Sequence, residues 1–177
     1  MLLLKEWKNF MKKSKFLNEL YNKEKLNLVE PSNEICQSYI NKSKNCLTSA
    51  KLLFENKLYE NSISMFYYAM YNSLTALLFK IGIKSENHSG SILLLRSLIN
   101  QEDLFKILSN AKKERIDKQY YVTAEKDELT KEISEELLEH AEDFILNIKI
   151  IISKITNESV EDMRKRFKEL ISCDEKK

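Results

Sequence analysis

Apolar residues recur at helical spacing along nearly the whole chain. The densest run is residues 62–79, where Tyr59, Ile63, Phe66, Met70, Leu74, Leu77 and Ile81 form one row at a period of about 3.6 residues. A second row, Leu58, Ser62, Met65, Ala69, Ser73 and Ala76, is small enough for a neighbouring helix to approach closely. A helix that is apolar or small round most of its circumference is enclosed by other helices. Residues 63–78 are therefore predicted as the central helix of an all-helical domain, ended by Gly82, which can adopt the left-handed conformation that closes helices.

The flanking patterns extend this picture. Leu3, Trp7, Phe10, Met11, Leu17 and Tyr21 predict one amphipathic helix within residues 1–30, read as an arm that caps the bundle or closes a dimer. Pro31 breaks that pattern, and Ser32 or Asn33 can cap a helix over about 34–56 that buries Cys36, Tyr39, Cys46, Leu47, Ala50, Leu53 and Phe54. Only Asn56 and Lys57 remain for the turn, so this helix and the central one must lie antiparallel as neighbours. After Gly82, residues 84–90 read as a polar loop, followed by a short apolar helix through Ile92, Leu95 and Ile99. Asn100, with Glu102 and Asp103, then starts a helix on which Leu104, Leu108, Ala111, Arg115 and Gln119 share a face. A loop over 122–128 with Asp127 as a cap precedes a long helix to about Ile155, and Val160, Met163, Phe167, Leu170 and Ile171 mark a final short helix before a frayed tail. The expected fold is an all-α, up-and-down antiparallel bundle of four to five helices, with an extra N-terminal helix and a short C-terminal one. Its expected divisions are 1–30, 32–156 and 157–177.

Composition narrows the function classes. Two Gly and one Pro are too few for a turn-rich β-protein, and they exclude both a dinucleotide-binding glycine fingerprint and a P-loop. The net charge of +2 supplies no global field for nucleic acid or membrane, so any basic role must come from local clustering. Cys36, Cys46 and Cys173 are odd in number and form no CxxC pair, as in a reduced cytoplasmic protein. No window holds the ~18 apolar residues of a membrane span, and no membrane role is expected. With two His and no acidic pair at ligand spacing, neither a metal nor a cofactor is expected.

The run SMFYYAMYNSLTALLFKIGIKSENHSG, with its YYA, ALL and HSG in that order, resembles the signature helix and following loop of HEPN domains. Glu114-Arg115, then Gln119-Tyr120-Tyr121, then Ala141-Glu142-Asp143-Phe144-Ile145 are similar to a later region of that family, so the likeness covers about residues 32–155. The resemblance implies a helical bundle, commonly a homodimer. It also implies three possible roles: metal-independent ribonuclease, partner of a small nucleotidyltransferase in a toxin–antitoxin system, or nucleotide-binding module.

The ribonuclease role has a definite chemical requirement. A group near neutral pKa must manage the 2′-hydroxyl proton, which His does, and a permanent planar cation must grip the charged phosphorane, which Arg does. In the family the His follows the Arg after four to six residues. Here Arg115 is followed at those positions by Tyr120, Tyr121 and Val122, and no His appears. Tyr, with a reference pKa of about 10, is a poor base. Were the chain a ribonuclease, Arg115 and Tyr120 would be its catalytic residues. The favoured expectation is instead a binding or regulatory protein that is no self-sufficient enzyme. Its patch of Arg115, Tyr120 and Tyr121, with His88 nearby, would meet RNA, a nucleotide or the nucleotidyltransferase partner. Tyr67, Tyr68 and Tyr71 are expected in the core or at a dimer seam, their hydroxyls reaching polar partners. His140 and the basic run Arg164, Lys165, Arg166 and Lys168 are expected on solvated faces.

Overall fold

In chain order the elements are α1 (residues 14–22), β1 (Leu26–Leu28), α2 (Asn33–Glu55), α3 (Tyr59–Lys80), β2 (Ile83–Ser85), α4 (His88–Ser97), α5 (Glu102–Tyr120), α6 (Asp127–Lys154) and α7 (Asn157–Ser172). The computed structural model describes the backbone of residues 14–120 and 127–172 and the side chains of 14–117 and 130–172. Residues 1–13, 121–126 and 173–177, among them Tyr121 and Cys173, lie outside the described residues.

The fold is an all-α bundle built round α3. Ile63, Phe66, Met70, Leu74, Leu77 and Ile81, the apolar row of the central helix, are all fully buried. The small row is buried too at Ser62, Ala69, Ser73 and Ala76, whereas Leu58 at its start is half exposed. Small side chains let α2 and α6 approach closely. Ser43 on α2 donates to the Ala69 carbonyl at 2.7 Å, and Ser62 donates to the Ala50 carbonyl at 2.9 Å while accepting from Ser134 of α6 at 3.1 Å. α2 and α3 form the expected hairpin. Ser32 caps α2 by accepting from the Ile35 amide at 3.1 Å, and Lys57 turns the chain with φ 62°.

Left-handed residues close each of the first four helices. Glu24 (φ 55°), Lys57 (62°), Gly82 (72°) and Asn100 (59°) stand two or three residues past the ends of α1, α2, α3 and α4. Such a residue lets the last free carbonyls of a helix find donors. Asn100 thus ends α4 and does not cap α5, which begins at Glu102; an N-cap needs extended backbone, and its positive φ excludes that.

Three further expectations change. Residues 1–30 do not form one helix to their end, because the left-handed turn at Glu24 redirects the chain into β1. The polar loop over 84–90 is shorter than predicted. Ile83–Ser85 pairs antiparallel with Leu26–Leu28 in the register Leu26↔Ser85, Asn27↔Lys84, Leu28↔Ile83, burying Leu26 and Ile83 completely. His88 and Ser89 already belong to α4, since Asn87 caps it by accepting from the Gly90 amide at 2.9 Å. Finally, Arg164 and Arg166 are not a solvated face. Arg164 donates to the Val29 and Gly82 carbonyls at 2.6 and 2.9 Å, and Arg166 donates to the Leu98 carbonyl at 2.9 Å, so α7 staples the loops that the helix ends leave open.

One core runs through all of this. Leu17 and Leu20 of α1 and Phe167, Leu170 and Ile171 of α7 are buried in the same cluster as α3. Ser14 donates to the Leu170 carbonyl at 2.5 Å, Asn18 donates to that of Ile171, and Tyr21 meets Phe167 edge-on at 6.4 Å. α7 is started by a reciprocal cap: Ser159 accepts from the Thr156 amide at 2.7 Å, and Thr156 accepts from the Ser159 amide at 3.2 Å.

Candidate functional site

Three helices converge at one polar spot on the central helix. α3 carries Tyr67 and Tyr71 one turn apart, so their rings lie one above the other, with centroids 6.0 Å apart and planes within 18°. The β-ribbon and the Asn87 cap deliver His88, first residue of α4, against this pair. Its Nδ1 lies 2.6 Å from the Tyr67 hydroxyl, and its ring stacks on Tyr71 at 3.9 Å between centroids. The Tyr71 hydroxyl bonds to Ser91 at 3.1 Å, and Ser91 donates towards Ser85 (2.9 Å) and the Asn87 carbonyl (3.0 Å), tying the imidazole's platform to the cap that positions it.

α5 supplies the charge. Arg115 continues the buried stripe of Leu104, Leu108 and Ala111, and this phase aims it inward. Its guanidinium carbon lies 5.4 Å from the Tyr67 ring centroid and 5.2 Å from that of Tyr68, within cation–π range. Lys112, one turn earlier on α5, donates to Ser89 at 2.5 Å.

The electrostatics follow from this gathering. Burial, then Arg115 and then Lys112, hold His88 below the ordinary histidine pKa, so it is neutral at pH 7. Burial and Arg115 push the Lys112 pKa down. No carboxylate among the described residues forms an ion pair with Lys112. Burial, and secondarily Tyr71, raise the Tyr67 pKa well above the tyrosine range, so its hydroxyl stays protonated. The Tyr67 hydroxyl and His88 Nδ1 share a hydrogen bond in which the imidazole tautomer sets the donor. The site gathers two cations and a neutral imidazole, with no described carboxylate paired to Lys112, and that chemistry suits an anion.

Of the residues singled out from the sequence, His88 and Arg115 meet here through Tyr67. Tyr120 ends α5, but its side chain, like all of Tyr121, lies outside the described residues. His140 is on the outer face of α6, its Nδ1 3.7 Å from Glu136. Sequence reading placed Tyr67 and Tyr71 in the core or at a dimer seam with their hydroxyls on polar partners, without pairing them to His88. The four-residue Tyr spacing and the Asn-His-Ser-Gly cap signal were the available hints. Among the described residues no group of three His, Cys, Asp or Glu could hold a metal ion, and no helix is long and apolar enough to cross a membrane.

The molecule is thus an all-α bundle whose central helix meets His88 of α4 and Arg115 of α5. The chain belongs to the HEPN domain family, matched over residues 36–151, a span that contains Tyr67, His88 and Arg115. It is 28% identical over 123 residues to a Methanocaldococcus jannaschii protein whose name calls it a "putative toxin", covering 69% of this chain and 92% of that one. It is 31% identical over 120 residues to a "UPF0332 protein" of Archaeoglobus fulgidus, covering 65% and 93%.

Proposed function

We propose that this chain is the HEPN component of a toxin–antitoxin-type pair, with a small nucleotidyltransferase as its protein partner. In this reading it acts as a homodimeric binding and regulatory protein whose site takes the phosphate of RNA or a nucleotide. The observation that carries the phosphate site is the gathering of Arg115, Lys112 and neutral His88 round Tyr67 and Ser89. Like charges held together lower each other's pKa, as Arg115 does to Lys112, and a bound phosphate relieves that repulsion while accepting from both cations. By sequence, this reading also assigns Tyr120 and Tyr121, which follow Arg115, to the surface that meets the partner. The toxin role is supported by the name of the Methanocaldococcus jannaschii relative, and the nucleotidyltransferase by what HEPN membership implies.

The test is to look for a small nucleotidyltransferase gene beside this one and to co-express the two; its absence from the neighbourhood counts against the pairing. The chain alone is expected to arrest growth, the partner to relieve the arrest and copurify, and Arg115→Ala to abolish the arrest. Absence of both arrest and copurification overturns the pairing. Cleavage of single-stranded RNA in EDTA that disappears in Arg115→Ala would instead make the chain a ribonuclease.

A further inference from the structure

Lys112 also stands at one end of an apolar groove of about 330 Å³. Two helices form its walls with residues at helical spacing: Ser89, Ile92 and Leu93 on α4, and Phe105, Ser109 and Lys112 on α5. Phe16 of α1 completes the lining. The helices run antiparallel, since Lys112 bonds to Ser89 at one end and Arg96 lies 5.4 Å from the Phe105 ring at the other. The groove therefore has a cationic end, beside the first turn of α4, and an apolar length. No carboxylate lines it. Arg96 is already paired with Glu102 at 2.6 Å, so Lys112 is the cation poised to take an incoming charge. Ile92 is buried, whereas Phe16, Leu93, Phe105, Ser109 and Lys112 are half-buried and Ser89 is exposed. A small-ligand pocket encloses most of its occupant; these half-open walls cover one side of theirs. They fit a short stretch of a larger molecule, whose apolar side chain seats between them as anchors do at protein interfaces.

We infer that this groove docks an acidic–apolar segment of the protein partner, with a large apolar side chain against Phe16, Ile92, Leu93 and Phe105 and a neighbouring Asp or Glu carboxylate on Lys112. The inference rests on the partner-binding reading and adds where the partner docks and what docking does to the anion site. Charge complementarity selects the occupant. Lys112 gives one of its N–H donors to Ser89, and a carboxylate accepts another. Burial and then Arg115 disfavour the charged form of Lys112, and an incoming carboxylate offsets both. The first turn of α4, where Ser89 stands, adds the positive end of a helix dipole. A basic segment would be repelled there, and a wholly apolar one would leave the ammonium without its counter-charge. Lys112 belongs as well to the proposed phosphate site, so a docked carboxylate competes with phosphate for the same ammonium. The partner thus regulates the anion site by taking Lys112 from it.

The test is selection from a random peptide library, displayed on phage, against the intact chain. Enriched peptides are expected to carry a large apolar residue next to Asp or Glu, or one position from it. Ser109→Tyr, which fills the groove from α5, should abolish the enrichment. Lys112→Gln, which keeps the aliphatic stem and removes the charge, should weaken binding of a synthetic copy of the selected peptide about tenfold, and it serves equally should Ser109→Tyr misfold. The same peptide should raise the apparent Kd for inorganic phosphate, read by calorimetry, at least about fivefold. Failure to enrich, enriched peptides without acids, or enrichment that both variants leave intact overturns the docking site. A phosphate Kd that the peptide leaves unchanged overturns the competition at Lys112. If inorganic phosphate does not bind even without peptide, the phosphate-site reading fails, and the selection alone decides the docking site. A concentration-dependent dimer that Ser109→Tyr dissociates assigns the groove to a second copy of this chain and overturns the partner segment.

Discussion

Tyr67 is fully buried, yet its hydroxyl bonds a histidine on one helix while its ring faces an arginine on another. Its ring is packing and its oxygen is organisation, and a single atom separates the two roles. Tyr67→Phe keeps the ring and leaves His88 Nδ1 without this partner. Loss of about 1–2 kcal/mol is expected, measured by denaturant unfolding. The His88 imidazole nitrogens should also shift in ¹⁵N spectra, reporting a changed tautomer balance. An unchanged spectrum would mean that another group sets the tautomer. The same residue gives a pH dependence. His88 has its folded pKa lowered, so as pH falls the unfolded chain takes up a proton first. The stability due to neutral His88 is complete above the reference pKa of about 6.5 and is lost progressively as pH drops from there towards the folded value. Thermal melts between pH 8 and 5 should show this loss, and His88→Gln, which cannot titrate, should flatten that part of the curve.

At the scale of elements, helix ends decide where the site goes. The end of α3 must turn sharply into β2 for His88 to come back over Tyr67, and Gly82 makes that turn with φ 72°. An added Cβ there would stand 2.1 Å from Arg164 Nη1 and 2.5 Å from the Val29 carbonyl oxygen. Either the arginine that bonds both sides of this turn moves or the ribbon opens. Gly82→Ala should therefore cost more than the ~1 kcal/mol of a left-handed alanine alone, read as a drop in Tm. Addition of the strain and the clash should also perturb the His88 resonances. Sequence periodicity predicted α2 and α3, their short turn and Gly82 as a stop, because each is written in neighbouring residues. It did not predict the β-ribbon. Two three-residue strands, 57 residues apart at Leu26 and Ile83, carry no periodicity of their own and exist only because each is the other's partner.

For the whole molecule, the bundle closes through its two ends. Phe167 is completely buried against the shared core and meets Tyr21 of α1, although it lies beyond the 36–151 span of the family match. Phe167→Ala should cost about 3–5 kcal/mol and lower the single cooperative unfolding transition of the chain. A separate early transition confined to the ends, with the main one unmoved, would show that α1 and α7 are independent of the core. The arginines of α7 follow the same logic: a charge run that reads as solvated becomes a set of backbone staples once the open carbonyls of Val29, Gly82 and Leu98 are placed beneath it.

The sequence by itself determined the helical class, the central position of α3, the α2–α3 hairpin and the inward phase of Arg115, because all four depend on spacing within one helix or across one short turn. The absence of His from the positions after Arg115 was equally plain. What only the tertiary structure decided is that another histidine, His88, comes to Tyr67 and near Arg115. That meeting depends on the relative rotation of α3, α4 and α5. Periodicity states which face of each helix turns inward; which inward faces touch is set by packing and by the turns at Gly82 and Asn87.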